Sequence, residues 1–331
     1  MISKIKCIIS IVLIAMVVCT ACGEEKAVKT ESRIENPSKS LNQKKPTEKL
    51  LPLPKEIGYT ESLIMYGQTQ EGMPLIYTIG QQKEGQYYYN KYVYGTDWTK
   101  EEAEFQKIIK KKNKNMLIQR IFCNGEKIYL VNVTILPGKE KEYNLSLYQY
   151  DKEKPELLKI DIDGMVYEDK DTKVKYALAD MQFNKNDFVL GYNSGKFYLY
   201  NEKKKKRVDY TQKLYGNYKV FDGKLYTSEI SKKKIIGLDL ESKEVTEQFE
   251  LDLQQTGYNF CTDDEELFVA CKNGVYRLEN EKAEQIVSGD IFTPYVLDDA
   301  ANIVALNKKG NTFYILFSRD NAYEFYSYTV D

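Results

Sequence analysis

Histidine is absent from the 331 residues of this chain, and arginine is scarce. Histidine is the side chain that most often serves as a general base or a metal ligand near neutral pH. Without it, neither a serine-histidine-aspartate nor a cysteine-histidine mechanism can operate. The five arginines are Arg33, Arg120, Arg207, Arg277 and Arg319. Their low number also argues against sites that need several converging guanidinium groups, such as those of sialidases.

Three of the six cysteines lie at the N-terminus, in a segment that is typical of bacterial export signals. Lys4 and Lys6 precede an apolar run, residues 8–18, that is too short to span a bilayer comfortably. The following Thr20-Ala21-Cys22-Gly23 is similar to a lipobox, where bacteria attach diacylglycerol to the thiol and cleave the chain. We predict a signal peptide over residues 1–21 and a lipid anchor on Cys22, which holds the protein on the outer face of the cell membrane. The alternative is an uncleaved anchor helix.

Cysteine is also scarce in the rest of the chain, where Cys123, Cys261 and Cys271 are left. An odd number of cysteines in an exported protein leaves at least one free thiol. Cys261 and Cys271 flank a predicted hairpin but are offset from direct cross-strand positions. We therefore favour buried thiols over a disulfide between them.

Large apolar residues are nearly missing from Glu24 to Lys49. Such a segment cannot bury enough surface to offset its ordering entropy, so residues 22–49 are predicted to be the lipidated cysteine and a disordered tether. Without Lys4 and Lys6, the 48 basic residues become 46 against 49 acidic residues, a net charge of −3. This balance argues against a nucleic-acid partner. Residues 50–331 can form one domain if that domain is all-β.

Tyrosine occurs 28 times, mostly in short runs in which it alternates with other residues. A period of two predicts strands. A strand, a polar turn and a second apolar strand recur at intervals of 37 to 60 residues, with these equivalent positions in the second strands: Ile76, Tyr129, Val189, Tyr226, Phe268 and Tyr314. The repeat predicts an all-β fold, a single β-propeller of six four-stranded blades, with seven blades as the alternative.

The last predicted blade stops at its third strand, because the chain reaches Asp331 there. The segment Leu50-Leu51-Pro52-Leu53 can supply the missing strand, since its prolines suit the edge of a sheet. We therefore expect an N-terminal strand to close the last blade and with it the ring.

The segment from Thr99 to Lys112 departs from the strand period. Thr99 and Glu102 form a capping-box pattern, and Phe105, Ile108 and Ile109 then share one helical face. A short helix is predicted here, with an outer strand that runs on into a loop as the alternative.

The densest aromatic group offers one candidate binding surface, made of Tyr88, Tyr92, Tyr94 and Trp98. Aromatic side chains on a rim can stack on sugars or anchor peptides. Alternating tyrosines in a strand more often pack between neighbouring strands, and this interpretation is favoured.

Charged clusters offer two further candidates. The acidic residues Asp161, Asp163, Glu168, Asp169 and Asp171 provide hard oxygens, but they lack the order of a calcium loop, and we favour a solvated loop. The lysine runs at residues 110–112, 203–207 and 232–234 fall at predicted turns or helix ends, where lysine is usually solvated rather than part of a binding patch. No metal or cofactor is predicted.

Several short segments carry a family resemblance. They are Ala21-Cys22-Gly23, Leu51-Pro52-Leu53-Pro54, residues 94–101 and the closing residues 325–331. With them the chain resembles the β-propeller part of Gram-positive surface lipoproteins, in which the propeller precedes an extracellular solute-binding domain of sugar-type ABC transporters. The resemblance implies a lipid-anchored propeller with an accessory role in solute uptake, and it stops at Asp331, where that solute-binding domain would begin.

Two function classes follow from these observations. The first is a monomeric, non-catalytic binding or scaffolding module at the cell surface, with a protein, peptide or glycan partner. The second is a propeller glycoside hydrolase or lyase that uses aspartate, glutamate and tyrosine. It would need two facing carboxylates at the central channel. The absence of histidine and the shortage of arginine favour the first class.

Overall fold

A computed structural model describes residues 46–57, 63–80, 86–112, 116–124, 127–136, 139–162, 165–168, 175–185, 187–192, 194–201, 203–214, 216–229, 232–253, 257–263 and 265–330. The predicted signal peptide, Cys22 and the tether up to residue 45 lie outside these residues. The first described strand is β1 (Thr47–Leu51), which belongs to the last blade.

Strands of the first three blades follow chain order within antiparallel sheets. Blade 1 contains β2 (Leu63–Gln68), β3 (Pro74–Ile79), β4 (Tyr89–Tyr94) and β5 (Trp98–Glu102). Blade 2 contains β6 (Leu117–Asn124), β7 (Lys127–Leu136), β8 (Lys139–Asp151) and β9 (Glu156–Ile160). Blade 3 contains β10 (Val166–Glu168), β11 (Lys175–Asn184), β12 (Asp187–Tyr192), β13 (Phe197–Asn201) and β14 (Lys206–Asp209).

The other three blades have four strands each. Blade 4 contains β15 (Tyr218–Phe221), β16 (Lys224–Glu229), β17 (Lys234–Asp239) and β18 (Val245–Glu250). Blade 5 contains β19 (Asn259–Thr262), β20 (Leu267–Cys271), β21 (Gly274–Glu279) and β22 (Lys282–Ser288). Blade 6 contains β23 (Asn302–Lys309), β24 (Thr312–Arg319), β25 (Ala322–Thr329) and, as its outer strand, β1.

The six blades form a closed ring. Each inner strand contacts the next one around the ring, in the order β2, β6, β11, β15, β19 and β23, and β23 contacts β2. The predicted six-bladed β-propeller is confirmed, and so is its closure by an N-terminal strand, since β1 pairs antiparallel with β25. The closing strand begins at Thr47, inside the range predicted as tether, and ends at Leu51, before the prolines at 52 and 54. Blade 3 has one strand more than expected, because the short β10 pairs with the start of β11.

The burial of the strands follows their polarity. All five side chains of β20 are buried, whereas in the outer strand β5 four of five are exposed. Tyrosines fill much of the space between neighbouring sheets, as with Tyr89 and Tyr328, whose exposed surface is 0%. This arrangement explains the sequence pattern, because inner strands meet a neighbouring blade on both faces and outer strands meet water.

The predicted helix is present but shorter. Helix α1 (Gln106–Lys112) begins seven residues after Thr99, and its apolar face buries Ile108 and Ile109 next to Phe105. The predicted capping box is wrong, since Thr99 and Glu102 lie in β5, where they complete the outer edge of blade 1. A second short helix, α2 (Thr293–Leu297), lies between blades 5 and 6. Within the described residues, no helix has the length and apolar character needed to cross a membrane.

The three cysteines of the propeller are free thiols, as expected. Cys261 pairs with Phe268 across the β19–β20 hairpin rather than with Cys271. This offset keeps the two sulfur atoms apart, which agrees with the preference for buried thiols over a disulfide.

Candidate functional site

The inner strands bring polar side chains to the axis of the propeller. Four of these strands, β2, β6, β11 and β23, carry a register irregularity at equivalent places. Arg120 and Asp180 follow this irregularity directly in β6 and β11. Such bulges re-aim a side chain relative to the regular alternation of a strand. The repeat thus directs a guanidinium and a carboxylate from neighbouring blades towards one space.

Asp180 is held in place by its own strand. Its carboxylate accepts hydrogen bonds from the backbone N–H of Met181 (2.8 Å) and from Nε2 of Gln182 (3.1 Å). Burial raises the pKa of Asp180, while these hydrogen bonds and the charges of Arg120 and Lys219 act in the opposite direction. The carboxyl is therefore an enclosed group whose charge depends on its cationic neighbours.

Lys219, on the inner strand β15 of blade 4, is the next cation along the channel. Burial lowers the pKa of its ammonium, and the nearby Cys261 and Asp180 partly oppose this change. Burial also lowers the pKa of Arg120. All three charged residues keep some surface in contact with solvent although protein surrounds them. Enclosure by protein together with partial contact with solvent is what a narrow internal channel produces. We name Arg120, Asp180 and Lys219 the channel cluster.

The described parts of the inner strands do not bring together the facing carboxylates that a glycosidase mechanism would need. Among the described parts of the six inner strands, Asp180 is the only acidic residue. The arginines do not converge either, because Arg277 binds Glu266 and Glu284 in blade 5, and Arg319 binds Glu324 in blade 6. The inner strands thus offer no acid pair and no arginine triad in the part of the chain that the structure describes.

A cleft of about 500 Å³ opens between blades 2 and 3, at the ends of several strands. Its walls come from the β6–β7 and β8–β9 turns of blade 2 and from the β11–β12 and β13–β14 turns of blade 3. The lining residues are Asn124, Lys127, Tyr129, Gln149, Tyr150, Asp151, Lys152, Glu153, Phe183, Lys185, Phe188 and Lys203. The volume falls within the usual range for ligand sites. We name it the blade 2/3 cleft.

The floor of this cleft is aromatic. The ring centroids of Tyr129 and Phe183 are 5.1 Å apart, those of Tyr129 and Phe188 are 5.5 Å apart, and those of Phe183 and Phe188 are 5.8 Å apart. Tyr129 and Phe188 are buried in the core between the blades, whereas Phe183 is partly exposed. Phe183 thus presents an apolar surface to an incoming side chain, and the two rings beneath it hold it in position.

The rim of the cleft is basic. Lys127, Lys152, Lys185 and Lys203 are exposed, and none of them forms an ion pair within the described residues. Asp151 directs its Oδ1 atom to the backbone N–H groups of Glu153 (2.9 Å) and Lys154 (3.3 Å) in its own turn. Four lysines against Asp151 and Glu153 give the cleft a net charge of +2.

Chain topology places the start of β1 on the same face of the propeller as the blade 2/3 cleft. Thr47 lies opposite Thr329, at the end of the third strand of blade 6. The corresponding end of the third strand in blade 2 is Asp151, which lines the cleft. Strand β1 therefore begins on the face that carries the cleft.

Most of the predicted aromatic binding surface is covered by neighbouring side chains. Tyr92 and Tyr94 are buried, with 1% and 6% of their surface exposed, because they fill the space between blades 1 and 6. The Trp98 ring packs on Tyr94 (5.2 Å between centroids) and its Nε1 donates to the carbonyl of Pro52 (2.8 Å). Tyr88 is half-buried beneath the ammonium of Lys110. As favoured from the sequence, packing between blades accounts for most of this group.

The structure describes part of the acidic cluster and places the lysine runs in different surroundings. In the acidic cluster, Asp161 is exposed, Glu168 ends β10, and Asp163, Asp169 and Asp171 lie outside the described residues. No group of three metal-ligating side chains occurs within the described part of the chain. In the lysine runs, Lys110 binds Glu102, and Lys233 binds Asp252.

In the lysine run at residues 203–207, Lys203 lines the blade 2/3 cleft, while the guanidinium of Arg207 stacks 3.3 Å above the ring centroid of Tyr198. Sequence patterns did not single out Phe183, Asp180 or Lys219. The one available signal was the equivalent position of these residues within successive strand pairs, which becomes informative only once the blade register is known.

Comparison with known proteins does not assign this chain to a family. No family model matches the chain, and no curated protein matches it. Solved structures similar to this chain include YCF48 bound to a D1 peptide, with 10% identity over 88% of this chain and 99% of that chain and a TM-score of 0.47. BamB from Moraxella catarrhalis has 9% identity over 86% and 97% of the two chains and a TM-score of 0.43. A chain of the mitotic checkpoint complex has 8% identity over 94% and 99%, with a TM-score of 0.46. At these values the similarities say nothing about function, and the propeller assignment rests on the sheet order itself.

Proposed function

We propose that this protein is a lipid-anchored, non-catalytic binding module that captures an acidic segment of another protein in the blade 2/3 cleft. The observation that carries the proposal is the aromatic floor beneath four lysines that have no ion-pair partner among the described residues. An aromatic or aliphatic side chain of the partner would rest on Phe183, and neighbouring carboxylates would meet the lysines. Apolar anchors supply affinity, while the charged rim selects the partner and speeds its encounter.

The position of the chain start supports this proposal. Strand β1 begins on the face that carries the cleft, so a lipid on Cys22 would hold the cleft near proteins of the same membrane. Anchoring raises the local concentration of such partners and permits weak individual contacts to act. The resemblance to transporter-associated lipoproteins makes a component of a solute-uptake system the first partner class to examine.

The test measures binding of a fluorescein-labelled peptide that contains glutamate and phenylalanine. We expect Lys185→Glu combined with Lys203→Glu to weaken binding by about tenfold, because two rim cations become anions. Phe183→Ala should weaken it comparably through loss of the apolar contact. Fluorescence polarisation at two salt concentrations provides the measurement, and higher salt should lower the affinity.

A matched control is Lys243→Glu combined with Lys309→Glu, which changes the charge equally at an exposed turn of blade 4 and at the exposed end of β23 in blade 6. This control should bind the peptide as the unaltered protein does. Equal weakening in both double variants would show a non-specific charge effect and overturn the proposal. So would tight binding of the same peptide with lysine in place of glutamate, or of an uncharged oligosaccharide that competes for the cleft.

A further inference from the structure

Two side-chain amides of the blade 2/3 cleft are left unused by the contacts proposed above. Gln149 and Asn124 line the cleft and are half-buried, and neither amide forms a hydrogen bond to another described residue. Each amide has an acceptor oxygen and an N–H₂ group with two donors. A ligand that offers both a donor and an acceptor can replace the water that hydrates such half-buried groups. A peptide group is the smallest unit of a protein that offers both.

The strand register places Gln149 beside the aromatic floor. Gln149 lies directly opposite Tyr129 in the β7–β8 ladder, and directly opposite residues project from the same face of a sheet. The ring of Tyr129 packs against Phe183 of blade 3, so this face of blade 2 forms the wall of the cleft. Asn124 projects from the same face, since it lies two residues after Phe122, the partner of Tyr129 in β6. A segment whose side chain rests on Phe183 therefore passes the amide of Gln149.

The four rim lysines lie on both sides of this floor. Lys127 and Lys152 are at strand ends of blade 2, and Lys185 and Lys203 are at strand ends of blade 3. The floor lies between the two pairs, because the aromatic rings of the two blades meet there. In an extended segment, residues two positions apart project to the same side and are about 7 Å apart. Carboxylates two positions before and two positions after the anchoring side chain would each meet the cations of one blade.

We propose that the cleft recognises an extended peptide segment of the pattern acidic-x-apolar-x-acidic, and that Gln149 pairs with a peptide group next to the central apolar residue. The Gln149 amide donates to a peptide carbonyl or accepts from a peptide N–H, so it reads the main chain and not a side chain. Asn124 contacts the main chain nearer the rim in the same way. This inference rests on the proposed function, because it specifies which acidic segment the same cleft takes.

The arrangement of the charges is tested by fluorescence polarisation with two labelled peptides of equal composition. One has glutamate two positions before and two positions after a central phenylalanine, and the other has both glutamates before it. We expect the two-sided peptide to bind at least about fivefold more tightly, because only it reaches both lysine pairs. Equal affinity for the two peptides would overturn the proposed pattern and leave the capture of acidic segments in place.

Peptides with a single glutamate test which cations each carboxylate meets. One peptide has the glutamate before the phenylalanine and the other has it after. Each should respond mainly to one pair of substitutions, either Lys127→Glu with Lys152→Glu or Lys185→Glu with Lys203→Glu, and the two peptides should respond to different pairs. Equal responses of both peptides to both pairs would show a general attraction and contradict the pattern.

Ester analogues of the two-sided peptide test the pairing with the main chain. An ester replaces the peptide bond before or after the phenylalanine, and one of the two analogues should bind about threefold or more weakly, because a hydrogen bond is lost. Gln149→Leu should weaken the ordinary peptide similarly and have little further effect on that ester, since both changes remove the same contact. Gln68→Leu is the matched control at an exposed position at the end of β2, and it should leave every affinity unchanged.

The outcomes separate this inference from the proposed function. Unaltered binding by Gln149→Leu, or an equal loss in Gln149→Leu for the peptide and for both esters, would overturn the main-chain pairing while acidic peptides still bind the cleft. If neither peptide binds the unaltered protein, the proposed function and this inference both fail.

Discussion

The three thiols of the propeller have low reactivity because the surrounding protein raises their pKa values. Burial raises the pKa of Cys123 and Cys261 to about 12 and that of Cys271 to about 11. At pH 8 only about one thiol in a thousand or fewer would be ionised, and the thiolate is the reactive form. We therefore expect no alkylation of these residues by iodoacetamide in the folded protein and complete alkylation of all three in denaturant. Peptide mass analysis after digestion checks this at each position.

A control for this experiment is Leu50→Cys, which places a thiol at an exposed position of β1, where 61% of the leucine surface is accessible. That thiol should react in the folded protein within minutes to hours. Alkylation of Cys261 at a similar rate would contradict the burial described here, and it would indicate that the β19–β20 hairpin opens readily.

Residue types predicted the fold better than they predicted the site. The alternating tyrosines indicated strands, and Tyr92 and Tyr94 indeed lie between blades. Sequence could not show that Asp180 and Lys219 share a channel, because they are 39 positions apart and meet only through the curvature of the ring. Phe183 was missed for a related reason, since its exposure depends on how blade 2 and blade 3 diverge at one face.

The carboxylate of Glu48 helps to hold the closing strand β1 against the ring. Glu48 accepts hydrogen bonds from the backbone N–H of Thr293 (3.1 Å) and from the hydroxyl of the same residue, at the start of helix α2. Its own backbone pairs with Tyr328 in β25. Glu48→Ala should lower the free energy of unfolding by about 1–3 kcal/mol, because two hydrogen bonds to a charged acceptor are lost. Urea denaturation followed by circular dichroism measures this change.

The neighbouring Lys49→Ala is the control for this prediction. Lys49 lies in the same strand, is exposed and has no partner in the described part of the chain, so its removal should change the stability by less than about 0.5 kcal/mol. If Lys49→Ala costs as much as Glu48→Ala, the effect belongs to strand propensity, and the contact with Thr293 is not what fastens β1.

At the boundary between β5 and α1, the local capping rule predicts the wrong structure. Thr99 and Glu102 match a capping box, yet hydrogen bonding to β4 draws them into strand β5. The helix then begins only at Gln106, where Phe105, Ile108 and Ile109 can reach the core of blades 1 and 2. Long-range pairing outweighs local propensity at this point, because completing the outer edge of a blade satisfies a whole row of backbone groups.

At the scale of the whole molecule, the charge is unevenly distributed. The blade 2/3 cleft has a net charge of +2, while a shallow depression on blades 4 and 5 has Glu250, Glu279, Glu281 and Glu284 against Arg277 and Lys282, a net charge of −2. A net charge close to zero over the whole chain therefore conceals two surface sites of opposite sign. Such a distribution orients an approaching charged partner before contact, which favours recognition at the basic cleft.

A membrane anchor would determine how this charge distribution is oriented towards partners in the membrane. Substitution of Cys22 tests whether the anchor exists. Cys22→Ala should abolish lipid attachment, so the protein should either leave the membrane fraction or persist as an uncleaved precursor of higher mass. Cys7→Ala is the matched control, since it alters a cysteine that precedes the apolar run of the predicted signal peptide, and this variant should fractionate with membranes as before. Fractionation together with the intact mass of the N-terminus distinguishes the cases. Unchanged fractionation and unchanged mass in Cys22→Ala would refute the anchor, and the shared face of the start of β1 and the cleft would then have no bearing on membrane partners.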